Sequence, residues 1–437
     1  MNVSDILYRH SMLNIFIALF ALIGLQDIII AIAGWHHIPP TIYALPIIAI
    51  HSIIMFSYCL TRKDRRIAII LAVGLALRLA LLFVDFFHLA EILNSGADSE
   101  SFHRNAIRIY YGVQRGSISH YVETIAMFYN FTYASRLLAQ YVNIVFGMGM
   151  LIMIYKSLKL LQVKEKAIFV AITVIALLPN AIIFSGILLR EAWVEFFVSV
   201  SVFFFVKWFM EGKAINVLTC FVALLTASYM HAGILGLALG YIAAFLFYSP
   251  ATGKVTFSTS SVISMIIIVG IWLLIADSFD MFTTKFNAFD FDSNKAFLDK
   301  VNSQGGGNAD YLTWIDANST IQGLLFSPLK MFYFLFSPLP TEWNRISDIV
   351  GFAIDGFWYM WMCWALWKYR AGTHFYMKRF MVLAMLCSAF MFGYGTYNAG
   401  TAFRHRAKLL SVIAIPFAIS LSERKEKGYV EPFKSLK

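Results

Sequence analysis

Charge is what this chain has least of. Asp, Glu, Lys and Arg make up 14% of its 437 residues, where about 25% is usual for a soluble domain. Hydrophobic residues make up 59%, well above the usual 45–50% or so. That balance excludes a soluble enzyme. Cysteine is scarce too: Cys59, Cys220, Cys363 and Cys387 all fall in apolar stretches and no two form a CxxC pair. Neither a disulfide framework nor a thiolate metal site is indicated. The sequence has no P-loop, no GxGxxG following a strand, no HExxH and no GxSxG. Nucleotide-driven transport and the common hydrolase designs therefore have no support. No repeat of fixed period and no separate soluble domain is visible, so residues 1–437 read as a single integral membrane domain.

What the chain has instead is long hydrophobic runs. A membrane-crossing helix takes roughly 20 apolar residues, and the apolar content suffices for about twelve. Runs over 13–34, 41–60, 67–84, 137–158, 167–186 and 192–210 are of spanning length. The run 215–248 is too long for one helix, and Ser228, Tyr229, His231 and Gly233 mark a turn between two short spans. Further runs lie at 259–276, 352–369, 379–397 and 408–421. The expected fold is an all-α polytopic membrane protein with about twelve transmembrane helices. The first run is too long for a signal-peptide core and lacks a convincing cleavage site, so it reads as a retained helix.

The net charge of +10 would point to nucleic acid or an anionic surface in a soluble protein. Here the basic residues cluster in short loops: Arg62, Lys63, Arg65 and Arg66; Lys156, Lys159, Lys164 and Lys166; Lys368, Arg370, Lys378 and Arg379; and Arg424, Lys425 and Lys427. With the N-terminus inside and an even number of spans, all of these come out cytoplasmic, as the positive-inside rule requires. The expected location is the cytoplasmic (inner) membrane, multi-pass, with both termini cytoplasmic. The lipid bilayer is the expected partner, and nucleic acid is not.

Two outer loops are long, 85–136 and 277–350, and a long ordered loop is usually functional. The first is expected to carry an interfacial helix from about Ser99 to Tyr111. The second contains a hinge at 304–307 and the apolar run 326–340, broken by prolines, expected at the outer surface or as a re-entrant piece. Its acids, Asp290, Asp292, Asp299, Asp310 and Asp316, look like a solvated face. Their spacing is no metal signature, although a divalent ion stays open.

Ionisable groups at the outer ends of spans are the candidates for chemistry, because charge at membrane depth is expensive. The first lie in Gly96-Ala-Asp-Ser-Glu-Ser-Phe-His-Arg-Asn-Ala106. At helical spacing Asp98 shares a face with Phe102, which would anchor the helix and aim the carboxylate at the membrane. An Asp before Ser-Glu-Ser is equally a good helix cap. His103 and Arg104 follow as substrate-binding candidates, with Asp85 and Glu91 as weaker rival carboxylates. The second candidates are Arg190 and Glu191, in a loop so short that both sit near the outer interface. They either close a helical hairpin or grip an anionic headgroup, since a guanidinium forks onto phosphate oxygens. The third group is Arg404, His405, Arg406 and Lys408, positive charge on the outside and near the start of the last span. At a helix N-terminus such charge opposes the dipole, while a bound anion would be favoured. Arg78, His51, Asp27, His231 and Asp355 lie inside spans, where an Asp27–Arg78 pair or simple packing is the plain explanation.

These segments bring a family into view. The chain resembles the polytopic GT-C glycosyltransferases and the related Wzy-like polymerases of bacterial surface polysaccharide. Asp98-Ser-Glu-Ser-Phe102 looks like the acidic loop motif of lipid-linked-sugar transferases, although in the family that motif follows the first span and here two further spans precede it. Leu189-Arg-Glu191, Phe336-Ser-Pro-Leu-Pro340 and Thr401-Ala-Phe-Arg-His-Arg406 look like features of the same broad group. The resemblance implies a polyprenyl-phosphate- or diphosphate-linked sugar donor and a glycan or lipid-linked acceptor. It implies Asp98 as general base, with Arg190, Arg404 and Arg406 holding the departing phosphate and His405 a proton donor or further ligand. No cofactor is required by it, and a divalent metal stays open. It also implies that the aromatics Tyr311, Trp314 and Trp343 of the second loop stack on sugar rings. The rival from another class is a transporter or flippase for a lipid-linked oligosaccharide, for which paired halves with interrupted helices would be the mark. None is visible in the sequence.

Overall fold

The computed structural model describes residues 3–35, 37–61, 64–92, 96–115, 119–257, 259, 262–263, 266–267, 299, 302, 309–370, 372 and 374–423. Apolar runs bounded by polar or glycine-containing turns become helices: α1 (Val3–Ala33), α2 (Pro40–Leu60), α3 (Arg65–Phe86), α4 (Ala97–Tyr110), α5 (His120–Thr132) and α6 (Arg136–Leu160). Then come α7 (Glu165–Leu177), α8 (Pro179–Gly186), α9 (Glu191–Glu211), α10 (Ala214–Met230) and α11 (Gly236–Phe247). Beyond a two-stranded hairpin pairing Tyr248 with Val255 lie α12 (Thr320–Phe336), α13 (Ile346–Lys368, containing a π-turn at Phe352–Gly356), α14 (Phe375–Gly393), α15 (Ala399–Ala407) and α16 (Leu410–Ser422).

Among the described residues, seven helices are long and apolar enough to cross a membrane: residues Leu13–Ala33 of α1, then α2, α3, α6, α9, α13 and α14. The number is nine if α7 with α8, and α15 with α16, each count as one bent span. The chain is an all-α membrane protein. The anticipated split of 215–248 is present, with α10 ending at Met230 and a short 3-10 turn over Ala232–Leu235 before α11. The 326–340 run forms the end of α12, a helix of 17 residues and shorter than the spanning helices. The expected span 259–276, the 304–307 hinge, Asp290, Asp292, Arg62, Lys63, Arg424, Lys425 and Lys427 fall wholly or mostly outside the described residues.

Helix α6 is the buried axis, touched by α2, α3, α7, α8, α9 and α16. The first three helices instead turn Leu13, Ile17, Phe20, Ile53 and Ile69 outward. So much exposed apolar surface marks a lipid-facing wall, not a water-facing one. Elsewhere helices meet backbone to backbone. A Cβ on Gly240 would lie 2.4 Å from the Ala384 backbone, and one on Gly236 would lie 2.6 Å from that of Ser388. Gly236 and Gly240 form a GxxxG face that lets α11 press directly on α14.

Two apolar helix pairs are bent at a short break. α7 and α8 meet at 51° where Pro179 cannot continue the helix, and α15 and α16 meet at 69° without a proline. A break strands carbonyl groups that lipid cannot solvate, and at the first break a buried arginine takes them up. Arg78 donates to the carbonyls of Ala176 (3.1 Å) and Ala181 (3.3 Å), to that of Gly74 (3.0 Å), and to Ser185 Oγ (2.8 Å). Arg406 donates to the carbonyls of Phe334 and Ser337, each at 2.8 Å, at the end of α12, and pairs with buried Asp355. The expected Asp27–Arg78 pair does not form: Asp27 accepts from the Tyr133 hydroxyl at 2.5 Å. His51 is held between Tyr141 (2.8 Å) and the Ile15 carbonyl (2.9 Å), a packing histidine as the plain explanation had it.

Candidate functional site

The first turn of α4, the apex before α9 and the end of α15 converge. Arg404 joins them: its Nε donates to Glu191 Oε1 at 3.1 Å and its Nη1 pairs with Asp98. Lys408 Nζ lies 3.4 Å from the same Glu191 oxygen and donates to His405 Nδ1 at 2.9 Å. Side-chain exposure falls from 52% at Asp98 through 19% at Arg404 to 0% at Glu191 and Lys408, so the cluster runs from an open mouth into the bundle.

Local structure explains each placement. Gly96, not Asp98, caps α4: its φ of 104° suits glycine, its N–H donates to Ser99 Oγ at 3.2 Å, and Ser99 closes the turn back onto the Gly96 carbonyl. Asp98 is thus released from the capping task and points at α15. Phe102 packs with Phe184, Ile187, Leu189 and Phe403 and edge-on against Tyr121, the anchor expected at helical spacing. On the far side of α4, Glu100 pairs with Arg136, which also reaches Asp85 at 3.4 Å. The apex is held by Asn143, whose amide donates to the carbonyls of Ile187 (2.7 Å) and Leu189 (2.9 Å) while its oxygen accepts from Trp193 (2.7 Å).

Arg190 stands beside Glu191, Asp98 and Arg404; burial holds its guanidinium below its ordinary range, the two carboxylates oppose that, and Arg404 adds to it. Its Nε has no hydrogen-bond partner among the described residues. His405 stacks on Phe392, with centroids 4.7 Å apart, and meets His231 edge-on at 4.8 Å. One turn beyond Glu191, Glu195 is buried with neither carboxylate oxygen hydrogen-bonded among the described residues.

The sequence candidates divide. Asp98, Arg190, Glu191, Arg404 and His405 come together. Arg406 does not: it points the other way, fully buried against Asp355 and helix-end carbonyls. His103 faces α5, its Nδ1 2.7 Å from the Tyr129 hydroxyl, and Arg104 is exposed. Burial, seconded by Arg136, lowers the His103 pKa to about 4. The basic triplet also lies in the last turn of α15, where cations complement the helix dipole, rather than at the start of a long final span. Lys408 as a ligand of Glu191, the Asn143 brace and the Arg406–Asp355 pair were not singled out beforehand. Only Glu195 had a usable mark, its i+4 spacing from Glu191. Among the described residues no three His, Cys, Asp or Glu side chains are grouped to hold a metal.

Against known proteins, no family model, curated protein or solved structure matches the chain. The chemistry of the cluster therefore has to be argued from its own atoms.

Proposed function

We propose that the chain is a membrane glycosyltransferase, GT-C-like or Wzy-like, that uses a polyprenyl-phosphate- or diphosphate-linked sugar to build or polymerise a cell-surface polysaccharide. The observation that carries this reading is the meeting of Asp98, Arg190, Glu191, Arg404 and Lys408, three segments far apart in sequence, at one half-open mouth. The membrane domain would cross about twelve times, with 85–136 and 277–350 on the outer side of the cytoplasmic membrane and both termini inside. A greasy donor with an anionic head needs a membrane-level cavity edged by guanidinium groups.

In this reading the donor phosphate displaces Asp98 from Arg404 and settles between Arg404, Arg190 and Lys408. The freed Asp98 carboxylate takes the proton of the acceptor hydroxyl. The acceptor oxygen bonds to the sugar's anomeric carbon as the carbon–oxygen bond to phosphate breaks, inverting that centre, and the electron pair leaves on the polyprenyl phosphate. The three cations neutralise that growing charge. Glu191 spaces them, and Lys408 donates to His405 Nδ1, so that the neutral ring carries its proton on Nε2. Arg406 has no part in binding here; it ties α15 to the end of α12 and to Asp355.

One observation favours the rival flippase reading. The two bent spans, which touch through α8 and α15, each combine a 13-residue piece with a shorter outer piece, of 8 residues in α8 and 9 in α15. Discontinuous helices of this kind are used by transporters at their substrate sites. Proteoliposomes loaded with polyprenyl-linked sugars and a candidate acceptor separate the two. Glycosidic product is expected; donor crossing the bilayer with no product would establish the flippase instead.

A further inference from the structure

At the other end of α13 and α14 lies a second feature. A cavity of about 470 Å³ opens between them, walled by Trp367, Phe375 and Val382 and edged by Arg370, Lys378 and Arg379. Phe392, near the far end of α14, touches His405, so the Phe375 end of this cavity is roughly 25 Å from the outer cluster at 1.5 Å per residue. Arg370 lies in the connection between the two helices and Lys378 and Arg379 in the first turns of α14, a basic end that the positive-inside rule assigns to the cytoplasm.

The three cations are not equivalent. Lys378 is buried and committed, paired with Glu423 and donating to the Tyr369 carbonyl at 2.7 Å. Glu423 is taken as well, since it also accepts from the His374 backbone N–H at 3.1 Å. Arg370 and Arg379 are exposed and have no carboxylate partner among the described residues; Arg379 lies 4.0 Å over the Phe375 ring. An apolar slot edged by two guanidinium groups that have no carboxylate partner among the described residues complements a molecule with a greasy tail and an anionic head.

We propose that this cavity is a binding site for an anionic phospholipid, its phosphate held by Arg370 and Arg379 and an acyl chain lying along Trp367 and Val382. Basic pockets between transmembrane helices on the cytoplasmic side recognise lipid headgroups in this way. The site is independent of either reading of the outer cluster.

The test is native mass spectrometry of the full chain released from nanodiscs of equal phosphatidylcholine and phosphatidylglycerol. Wild type is expected to retain phosphatidylglycerol in preference to phosphatidylcholine. R370A and R379A should each lower that retention about fivefold, the equivalent of about 1 kcal/mol per cation. The charge-preserving R370K/R379K variant should keep most of it, which separates lost recognition from lost folding. Equal retention of the two lipids by wild type, or unchanged retention in R370A/R379A, would overturn the proposal. So would displacement of the lipid by inorganic phosphate, since the site would then take the free anion.

Discussion

Arg404 and Arg406 are two positions apart, roughly 200° around a helix, and their surroundings are opposite. Arg404 bridges two carboxylates at the mouth, whereas Arg406 is sealed against Asp355 and the end of α12. R404A is therefore expected to weaken binding of a polyprenyl phosphate at least tenfold, about 1.4 kcal/mol, in the range of a lost charged hydrogen bond. Glu191 keeps Lys408 in that variant, so its melting temperature should fall less than that of R406A. R406A leaves Asp355 buried without its cation and should cost about 3–5 kcal/mol of stability. Thermal unfolding in detergent beside lipid-binding isotherms checks both, and the opposite pattern would exchange their roles. The sequence marked both arginines because it displays charge, but which way each faces depends on the partner across the bundle. His103 makes a separate case. Its folded pKa of about 4 lies below the ordinary 6.5, so the unfolded chain takes up the proton first. The stability tied to a neutral ring is complete above pH 6.5 and drains as the pH falls towards 4. Melting curves over that window should flatten in H103Q relative to wild type; parallel curves would contradict the assignment.

Among the elements, the spans were the most legible part, because a run of apolar residues bounded by charge has few other solutions in lipid. Helices α2, α3, α6 and α9 begin and end within a few residues of the runs that announced them. The breaks were less so. Pro179 gives the first away, but the turn at Lys408 and Leu409 has no proline to mark it, and the side chains beside it are paired across the bundle. The contact between α11 and α14 rests on Gly236 and Gly240, a GxxxG pair not singled out beforehand. G240A should force those helices apart and cost about 1–3 kcal/mol, the range for overpacking a close contact. A thermal shift in the same detergent reads it, and an unaltered melting temperature would mean that the contact is looser than 2.4 Å implies.

At the scale of the whole molecule, two buried arginines, Arg78 at the α7–α8 break and Arg406 against the end of α12, bind backbone carbonyls inside the bundle while two others stand at its mouth beside a half-exposed carboxylate. Candidates at 98, 190–191 and 404–405 were chosen for local reasons alone, yet they occupy one place, and that convergence motivates the transferase reading more than any single motif does. Wall, axis and mouth also divide the labour: α1 to α3 face lipid, α6 organises the core, and α4, α9 and α15 carry the charged groups. The measurement that tests this account most directly is turnover by D98N in lipid nanodiscs with a polyprenyl-linked sugar and acceptor, with donor affinity read in parallel. Loss of transfer with donor binding kept is the predicted result, since the amide cannot take the acceptor's proton. Wild-type turnover by D98N would contradict it and return Asp98 to the status of an ion-pair partner for Arg404.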